Sequence, residues 1–130
     1  MINKVNKILI TGGAGYIGSH VAEKLVKTKC KIVIVDNLQR GSRKLVNKKT
    51  NFIKADINNT KKLRQIILKK KIDTIIHLAS FASVAESQKF KKRYYLNNVI
   101  GTQKLLQACK NTNIKNFIYS SSCSIYGNVK

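Results

Sequence analysis

Thr11-Gly12-Gly13-Ala14-Gly15-Tyr16-Ile17-Gly18, residues 11–18, is the stretch that predicts the fold of this chain. An apolar run precedes it at residues 8–10, and apolar residues at helical spacing follow over residues 17–26, so it joins a strand to a helix. Glycine at 12, 15 and 18 permits a tight turn and close approach of a pyrophosphate, whose charge meets the positive end of the helix. A tight connection without a ligand is the alternative.

The next strand supports the first interpretation. Residues 31–36 read Lys-Ile-Val-Ile-Val-Asp, and the β-branched core is typical of a strand buried on both faces. Asp36 follows Gly18 by 18 positions, close to the spacing of about 20 expected for a carboxylate that accepts hydrogen bonds from the adenosine ribose. The pair of features predicts dinucleotide binding. The carboxylate favours NAD, because it would repel the 2′-phosphate of NADP, although Arg40 and Arg43 leave NADP open.

Short apolar runs alternate with helical patterns along the rest of the chain. Strands are predicted around residues 52–53, over residues 74–78 and over residues 116–120, and helices over the stretches between them. This alternation specifies a parallel sheet covered by helices. We therefore predict an α/β fold, a Rossmann-type doubly wound parallel sheet with strand order 3-2-1-4-5, truncated after strand 5.

Ligands of such sheets bind beyond the carboxyl ends of the strands, at the point where the strand order reverses. That point lies between strands 1 and 4. Three segments should therefore face one crevice, namely residues 11–18, 77–87 and 120–127.

The charge of the chain is unusual. It has 26 Lys and Arg against 5 Asp and Glu, for a formal charge of +21. Of these cations 22 are Lys, and Lys, Asn and Ile together make up 52 of 130 residues, the trio that codons rich in A and T specify. Specific nucleic-acid readers favour Arg and interleave aromatics, so we predict no specific nucleic-acid partner. The clusters at 69–71 and 91–93 are interpreted as solvated helix faces.

The cysteines and the apolar runs exclude several classes. Cys30, Cys109 and Cys123 form neither a C-x-x-C motif nor a cluster with histidine at ligand spacing, which predicts a reduced, cytoplasmic protein without a metal. No signal-peptide core is present, and no apolar stretch approaches the roughly 20 residues of a membrane span, so no membrane partner is expected.

The motifs together resemble the UDP-glucose 4-epimerases, which are extended short-chain dehydrogenase/reductases of the NAD-dependent epimerase/dehydratase family. The resemblance covers essentially the whole chain, in order and at family-like spacing. It rests on residues 11–20 (TGGAGYIGSH), 35–38 (VDNL), 76–79 (IHLA), 86–87 (ES), 94–95 (YY), 97–99 (NNV), 101–102 (GT) and 115–127 (KNFIYSSSCSIYG).

The resemblance implies a role for particular residues. Besides the turn glycines Gly12, Gly15 and Gly18, it implies that Tyr16 and Ile17 contact the pyrophosphate. Asp36 and Asn37 would hold the adenosine ribose, and Asp56 and Ile57 would flank the adenine. Residues 78–82, which include Leu78, Ala79 and Ser80, would line the nicotinamide side, and Asn97 would also contact the cofactor. Ser122 matches the active-site serine that hydrogen-bonds the reacting sugar oxygen. The alternatives are a helix-start acid at Asp56, a helix-surface amide at Asn97 and a polar strand end at residues 120–122.

Three positions depart from the family. The family usually has a proline near the position of Lys91 and an acidic residue near the position of Arg93. The start of the long helix predicted after strand 4 is therefore expected to differ. Ala82 stands where some members have lysine, which removes one cofactor contact.

The reaction that the resemblance implies is reversible hydride transfer at C4 of a UDP-sugar, with NAD as cofactor and a tyrosine base assisted by a lysine one helical turn away. Tyr126 and Lys130 match that Y-x-x-x-K pattern, but Gly127 and Asn128 are poor helix formers. We expect the true pair beyond residue 130. Residues 1–130 are thus expected to form an incomplete NAD-binding Rossmann domain without a C-terminal substrate domain, inactive alone.

Other interpretations remain at this point. The chain could act in galactose metabolism as an NAD-binding module with a separate C-terminal half chain or as a homodimer. It could belong to another nucleotide-sugar epimerase or dehydratase, or be a nonfunctional gene remnant whose unpaired strand 5 would favour aggregation.

Overall fold

The structure is a computed structural model that describes residues 7–127. The strands are β1 (Lys7–Thr11), β2 (Lys31–Asp36), β3 (Asn51–Lys54), β4 (Thr74–His77) and β5 (Asn116–Tyr119). The helices are α1 (Tyr16–Leu25), α2 (Thr60–Lys70), α3 (Val84–Lys89), α4 (Lys91–Tyr94) and α5 (Gly101–Cys109), with a π-helical segment (Tyr95–Ile100) between α4 and α5 and 3-10 turns at Arg43–Leu45 and Cys123–Tyr126.

The five strands form one parallel sheet in the order β3-β2-β1-β4-β5, which confirms the predicted topology. Strand β1 lies at the centre, with Leu9 paired to Val33 of β2 on one side and to Ile75 of β4 on the other. Because helices cover both faces, these strands bury successive residues rather than alternate ones. Residues 32–35 are all buried, as their β-branched sequence predicts.

Two apolar clusters hold the layers together. Leu9 faces one side of the sheet, where α2 and α5 pack through Leu63, Ile67 and Leu105. Ile8 and Ile10 face the other side and pack with α1, because neighbouring residues of a strand point in opposite directions. The sheet is thus fixed from both faces, and the carboxyl ends of its strands meet at one edge.

One residue of α1 that was predicted to face the core is exposed. The pattern over residues 17–26 placed Ile17 among the inward positions, but its side chain is 63% exposed. Gly18, Ser19 and Ala22 are the buried residues of α1. Because Gly18 has no side chain, the first turn of the helix can approach the backbone of Gly12 and Gly13 closely, and Ile17 lies on the opposite, exposed side.

The predicted long helix after β4 is interrupted. A short helix, α3, comes first, with Ser83 accepting a hydrogen bond from the Glu86 N–H as its N-cap. The chain then runs through α4, the π-helical segment and α5. Tyr95, Val99 and Leu106 are exposed along this stretch, whereas Gly101, Leu105 and Ala108 are buried. A π-helical segment shifts the helix face, so a single 3.6-residue period does not predict which residues point inward.

The charged clusters are solvent-facing. Side chains at 91–93 are exposed, and at 69–71 only Lys70 is half-buried, in agreement with the sequence interpretation. Within residues 7–127 no helix is long and apolar enough to cross a membrane.

Candidate functional site: a cleft at the carboxyl ends of the strands

The glycine turn leaves β1 in a conformation that requires glycine. Gly12 has φ +73°, and its N–H donates to the carbonyl of Val35 at 2.9 Å, so the turn is fixed to β2. A Cβ at Gly12 would lie 2.7 Å from the backbone nitrogen of Ala79, and one at Gly18 would lie 2.2 Å from the carbonyl oxygen of Gly12. Side chains at these two positions would therefore separate the turn from its neighbours.

Asp36 ties the end of β2 to the same turn. Its carboxylate accepts a hydrogen bond from the Ala14 N–H at 3.0 Å on one oxygen and from the Leu38 N–H at 2.8 Å on the other. The side chain is only 8% exposed. Each carboxylate oxygen has a second acceptor site, so Asp36 can accept further hydrogen bonds from a ligand in the cleft beside it.

That cleft lies between the glycine turn, the loop after β2 and the loop after β4. Its volume is about 100 Å³, and it is partly open to solvent, so it is a shallow groove rather than an enclosed cavity. Its walls are formed by Gly12, Gly15, Val35, Asp36, Asn37, Gln39, Arg40, Gly41, Ala55, Ile57, Leu78, Ala79, Ser80, Phe81 and Asn97.

Asp56 supports the cleft from behind rather than starting a helix. The carboxylate accepts from the Asn37 side chain at 2.8 Å and from the Asn58 N–H at 2.8 Å, while Asn59 is the N-cap of α2. Burial alone would raise the pKa of Asp56, but the hydrogen bonds from Asn37 and Asn58 outweigh it and lower the pKa. Asp56 thus carries its charge at neutral pH and orients Asn37 on the cleft wall.

His77 lies buried at the end of β4, between Thr11 of β1 and Thr102 of α5. It is 2% exposed; its Nδ1 lies 2.6 Å from the Thr11 hydroxyl and its Nε2 lies 2.9 Å from the Thr102 hydroxyl. The Thr102 hydroxyl donates to the Asn98 carbonyl at 2.7 Å, so Nε2–H donates to Thr102 and Nδ1 accepts from Thr11. Burial lowers the pKa of His77 to about 4, which keeps the ring neutral.

Asn98 holds the loop that follows β4. Its side chain accepts from the Phe81 N–H at 2.9 Å and donates to the Phe81 carbonyl at 2.9 Å, and Asn97 donates to it at 2.9 Å. Both asparagines lie in the π-helical segment, a feature that recurs at functional sites. The segment therefore determines where residues 78–81 line the cleft.

Most of the predicted cofactor residues meet in this cleft, and some do not. Gly12, Gly15, Asp36, Asn37, Ile57, Leu78, Ala79, Ser80 and Asn97 line it. Gly18 packs under the turn instead, Asp56 acts through Asn37, and Tyr16 and Ile17 are 76% and 63% exposed at the start of α1. The Tyr16 ring contacts the His20 ring in a tilted arrangement, with the centroids 4.7 Å apart.

Ser122 is not among the residues that line the cleft. The Ser120 N–H donates to the His77 carbonyl at 3.3 Å, so the segment leaves the sheet beside β4. The Ser122 hydroxyl accepts from the Ser124 N–H at 3.2 Å and thereby caps a 3-10 turn that ends at Tyr126. Gly127 has φ +65°, so this turn does not continue as an α-helix after Tyr126; Lys130 lies outside the described residues.

Sequence reasoning missed several cleft residues. Val35, Gln39, Gly41 and Ala55 were given no role, and Arg40 was noted only for its charge. Gly41 could have been found from its sequence, because a glycine between Arg40 and Ser42 marks a turn, and in the structure a Cβ there would lie 2.9 Å from Ala14. The others have no signal in the sequence, because they reach the cleft through the path of a loop or the register of a strand.

Comparisons with known proteins agree with this geometry. The sequence model described as the NAD dependent epimerase/dehydratase family matches residues 8–130. The bifunctional protein GAL10 of Candida maltosa is 44% identical over 129 residues, which cover 93% of this chain and 84% of that protein.

Two solved structures have the same fold. The UDP-glucose 4-epimerase of Brucella ovis in complex with NAD is 41% identical, with a TM-score of 0.90 over 95% of this chain and 38% of that one. The UDP-glucose 4-epimerase of Thermotoga maritima with UDP-glucose is 37% identical, with a TM-score of 0.90 over 95% of this chain and 41% of that one. The chain thus spans about two fifths of these enzymes and corresponds to their N-terminal part.

Proposed function

Because this chain belongs to the NAD dependent epimerase/dehydratase family, we propose that it binds NAD in the cleft at the carboxyl ends of β1, β2 and β4. The observation that carries the proposal is the Asp36 carboxylate, which is buried beside the glycine turn and can still accept hydrogen bonds on the cleft side. In that position it suits the hydroxyls of an adenosine ribose.

The cleft fits such a ligand in two further ways. Gly12 and Gly15 contribute no side chains to the wall, so a pyrophosphate can approach the backbone there, at the start of α1. Ile57, Leu78 and Ala79 supply apolar surface for a planar ring, and Asn37 and Asn97 supply amide groups. An apolar lining with few polar groups is typical of cofactor sites.

We further propose that the chain is the NAD-binding part of a UDP-glucose 4-epimerase-like enzyme, with a UDP-sugar as substrate and the cytoplasm as its setting. Bound NAD would supply the hydride acceptor at C4 of the sugar. Ser122 would hydrogen-bond the reacting oxygen. Residues 7–127 contain no helix in which a tyrosine precedes a lysine by four positions, so we expect cofactor binding without turnover from the chain alone.

Calorimetric titration with NAD⁺ tests the binding proposal. Asp36→Asn should weaken binding about tenfold or more, because hydrogen bonds to a charged group contribute about 1.5–3 kcal/mol. Asp73→Asn is the matched control: Asp73 also accepts a backbone N–H, from Lys7 at 3.1 Å, but lies before β4 at the opposite end of the sheet. An unmodified chain that does not bind NAD⁺, or two variants with equal losses, would contradict the proposal.

An assay with UDP-galactose and NAD⁺ tests the catalytic part separately. We expect no conversion to UDP-glucose by the purified chain. Measurable turnover would refute the expectation of inactivity and would leave the NAD proposal intact.

A further inference from the structure

The cleft contains one group that could change its cofactor preference. Arg40 lies on the cleft wall with Asp36 and Asn37, beside the proposed ribose position. A free arginine there would attract the 2′-phosphate of NADP and offset the repulsion from Asp36. The preference therefore depends on where this guanidinium is held.

Arg40 is turned toward α3 instead. Its Nη2 donates to the Glu86 carboxylate, and its guanidinium lies 5.4 Å from the centroid of the Phe81 ring. The Arg40 side chain is 53% exposed and that of Glu86 is 21% exposed, so Glu86 is the more buried partner of the pair.

Three groups hold Glu86 in place. Besides Arg40, the Tyr94 hydroxyl donates to it at 2.9 Å and Arg93 at 3.3 Å. The Tyr94 hydrogen bond, followed by Arg40 and Arg93, lowers the pKa of Glu86, so the carboxylate stays charged. Phe81 packs between Arg40 and Arg93, with the Arg93 guanidinium 4.7 Å from the ring centroid.

The second arginine near the site is also engaged. The Arg43 guanidinium lies 4.6 Å from the centroid of the Phe52 ring on β3, and Arg43 is not among the residues that line the cleft. The sequence left NADP open because of these two arginines, and both have other partners in the structure: Arg40 contacts Glu86 and Phe81, and Arg43 contacts Phe52.

We infer that Glu86 is a specificity-determining residue: by holding Arg40 against α3, it keeps the cleft selective for a dinucleotide without a 2′-phosphate. The inference rests on the proposed NAD binding. Asp36 supplies the repulsion, and Glu86 removes the cation that would cancel it.

The test compares the dissociation constants of NADP⁺ and NAD⁺ for the same protein. Glu86→Gln should lower the NADP⁺-to-NAD⁺ ratio about three- to tenfold, because an exposed charged contact is worth about 1 kcal/mol. Glu23→Gln is the matched control: it removes the same charge from an exposed acid on α1 and should leave the ratio unchanged. Adding Arg40→Ala to Glu86→Gln should restore the original ratio.

Arg40→Ala alone provides a second, independent measurement should Glu86→Gln not fold. It should not raise the ratio, because Glu86 already holds the Arg40 charge. A rise in the ratio for Arg40→Ala, or an unchanged ratio in a folded Glu86→Gln protein that binds NAD⁺, overturns the inference alone. Failure of the unmodified chain to bind NAD⁺ refutes the proposed function and, with it, this inference.

Discussion

At the scale of single residues, the site is built from groups whose protonation or size the fold fixes. Asp56 stays charged and orients Asn37, Asp36 accepts hydrogen bonds from two backbone N–H groups, and His77 stays neutral between two threonines. Gly12 and Gly18 are required because neighbouring backbone occupies the space of a side chain. Each of these roles follows from a local contact and can be tested by one substitution.

His77 predicts a pH-dependent stability. Its pKa is about 4 in the folded chain against 6.5 for the unperturbed group, so the unfolded chain binds more protons between these values and stability falls as pH falls through this window. Between about pH 7 and pH 5 the loss from this group should be about 2 kcal/mol. Urea unfolding at both pH values measures it.

Two substitutions separate His77 from the other titrating groups. His77→Gln should lower stability at every pH and flatten its pH dependence, because the side chain no longer titrates. His20→Gln removes an exposed histidine by the same substitution and is the matched control. Equal slopes in His77→Gln and the unmodified chain would contradict the assignment.

At the scale of elements, the π-helical segment determines the conformation of the loop after β4, which lines the cleft. It places Asn98 so that one side chain satisfies both backbone groups of Phe81. A regular helix over residues 91–109 would change the direction of Asn97 and Asn98 by the extra residue of the π turn. The loop after β4 therefore depends on a helix that lies far from it in sequence.

Asn98→Asp tests that dependence with almost no change in size. The carboxylate can still accept from the Phe81 N–H, but it can no longer donate to the Phe81 carbonyl and repels it. We expect faster hydrogen exchange at the amides of residues 78–81 and weaker NAD⁺ binding. Asn113→Asp adds the same charge at an exposed site and should change neither; equal effects of the two variants would rule out a role for the Phe81 contacts.

At the scale of the whole molecule, the excess of positive charge lowers the stability of the folded state. The chain has 26 Lys and Arg but only 5 Asp and Glu, so most cations have no acid with which to pair. Two ion pairs within residues 7–127 converge on one acid, Glu86. Compaction therefore brings like charges together, and this repulsion opposes folding.

Added salt should for this reason raise the melting temperature. Raising NaCl from about 10 mM to about 150 mM shortens the Debye length from roughly 30 Å to roughly 8 Å and screens repulsion between the surface lysines. We expect an increase of about 5 °C, equivalent to about 1 kcal/mol for a domain of this size. Thermal unfolding followed by circular dichroism measures it, and a constant or falling melting temperature would contradict the interpretation.

The strand order and most of the cleft could be predicted from the sequence because they depend on local patterns. Residues 32–35 identify a doubly buried strand, and Asp36 at its end is fixed by chain connectivity to lie beside the glycine turn. The inward face of the helical stretch over residues 91–109 could not be predicted, since one π turn changes its period.

The sequence alone determined the sheet, its crevice and the residues that leave each strand at that edge, because hydrophobic period and parallel connectivity are encoded locally. Only the tertiary structure decided which side chains enter the cleft. Tyr16 and Ile17 turn outward, Asp56 acts through Asn37, and Arg40 is drawn to Glu86, 46 positions away. Such choices are made by contacts between distant segments, and no periodicity along the chain records them.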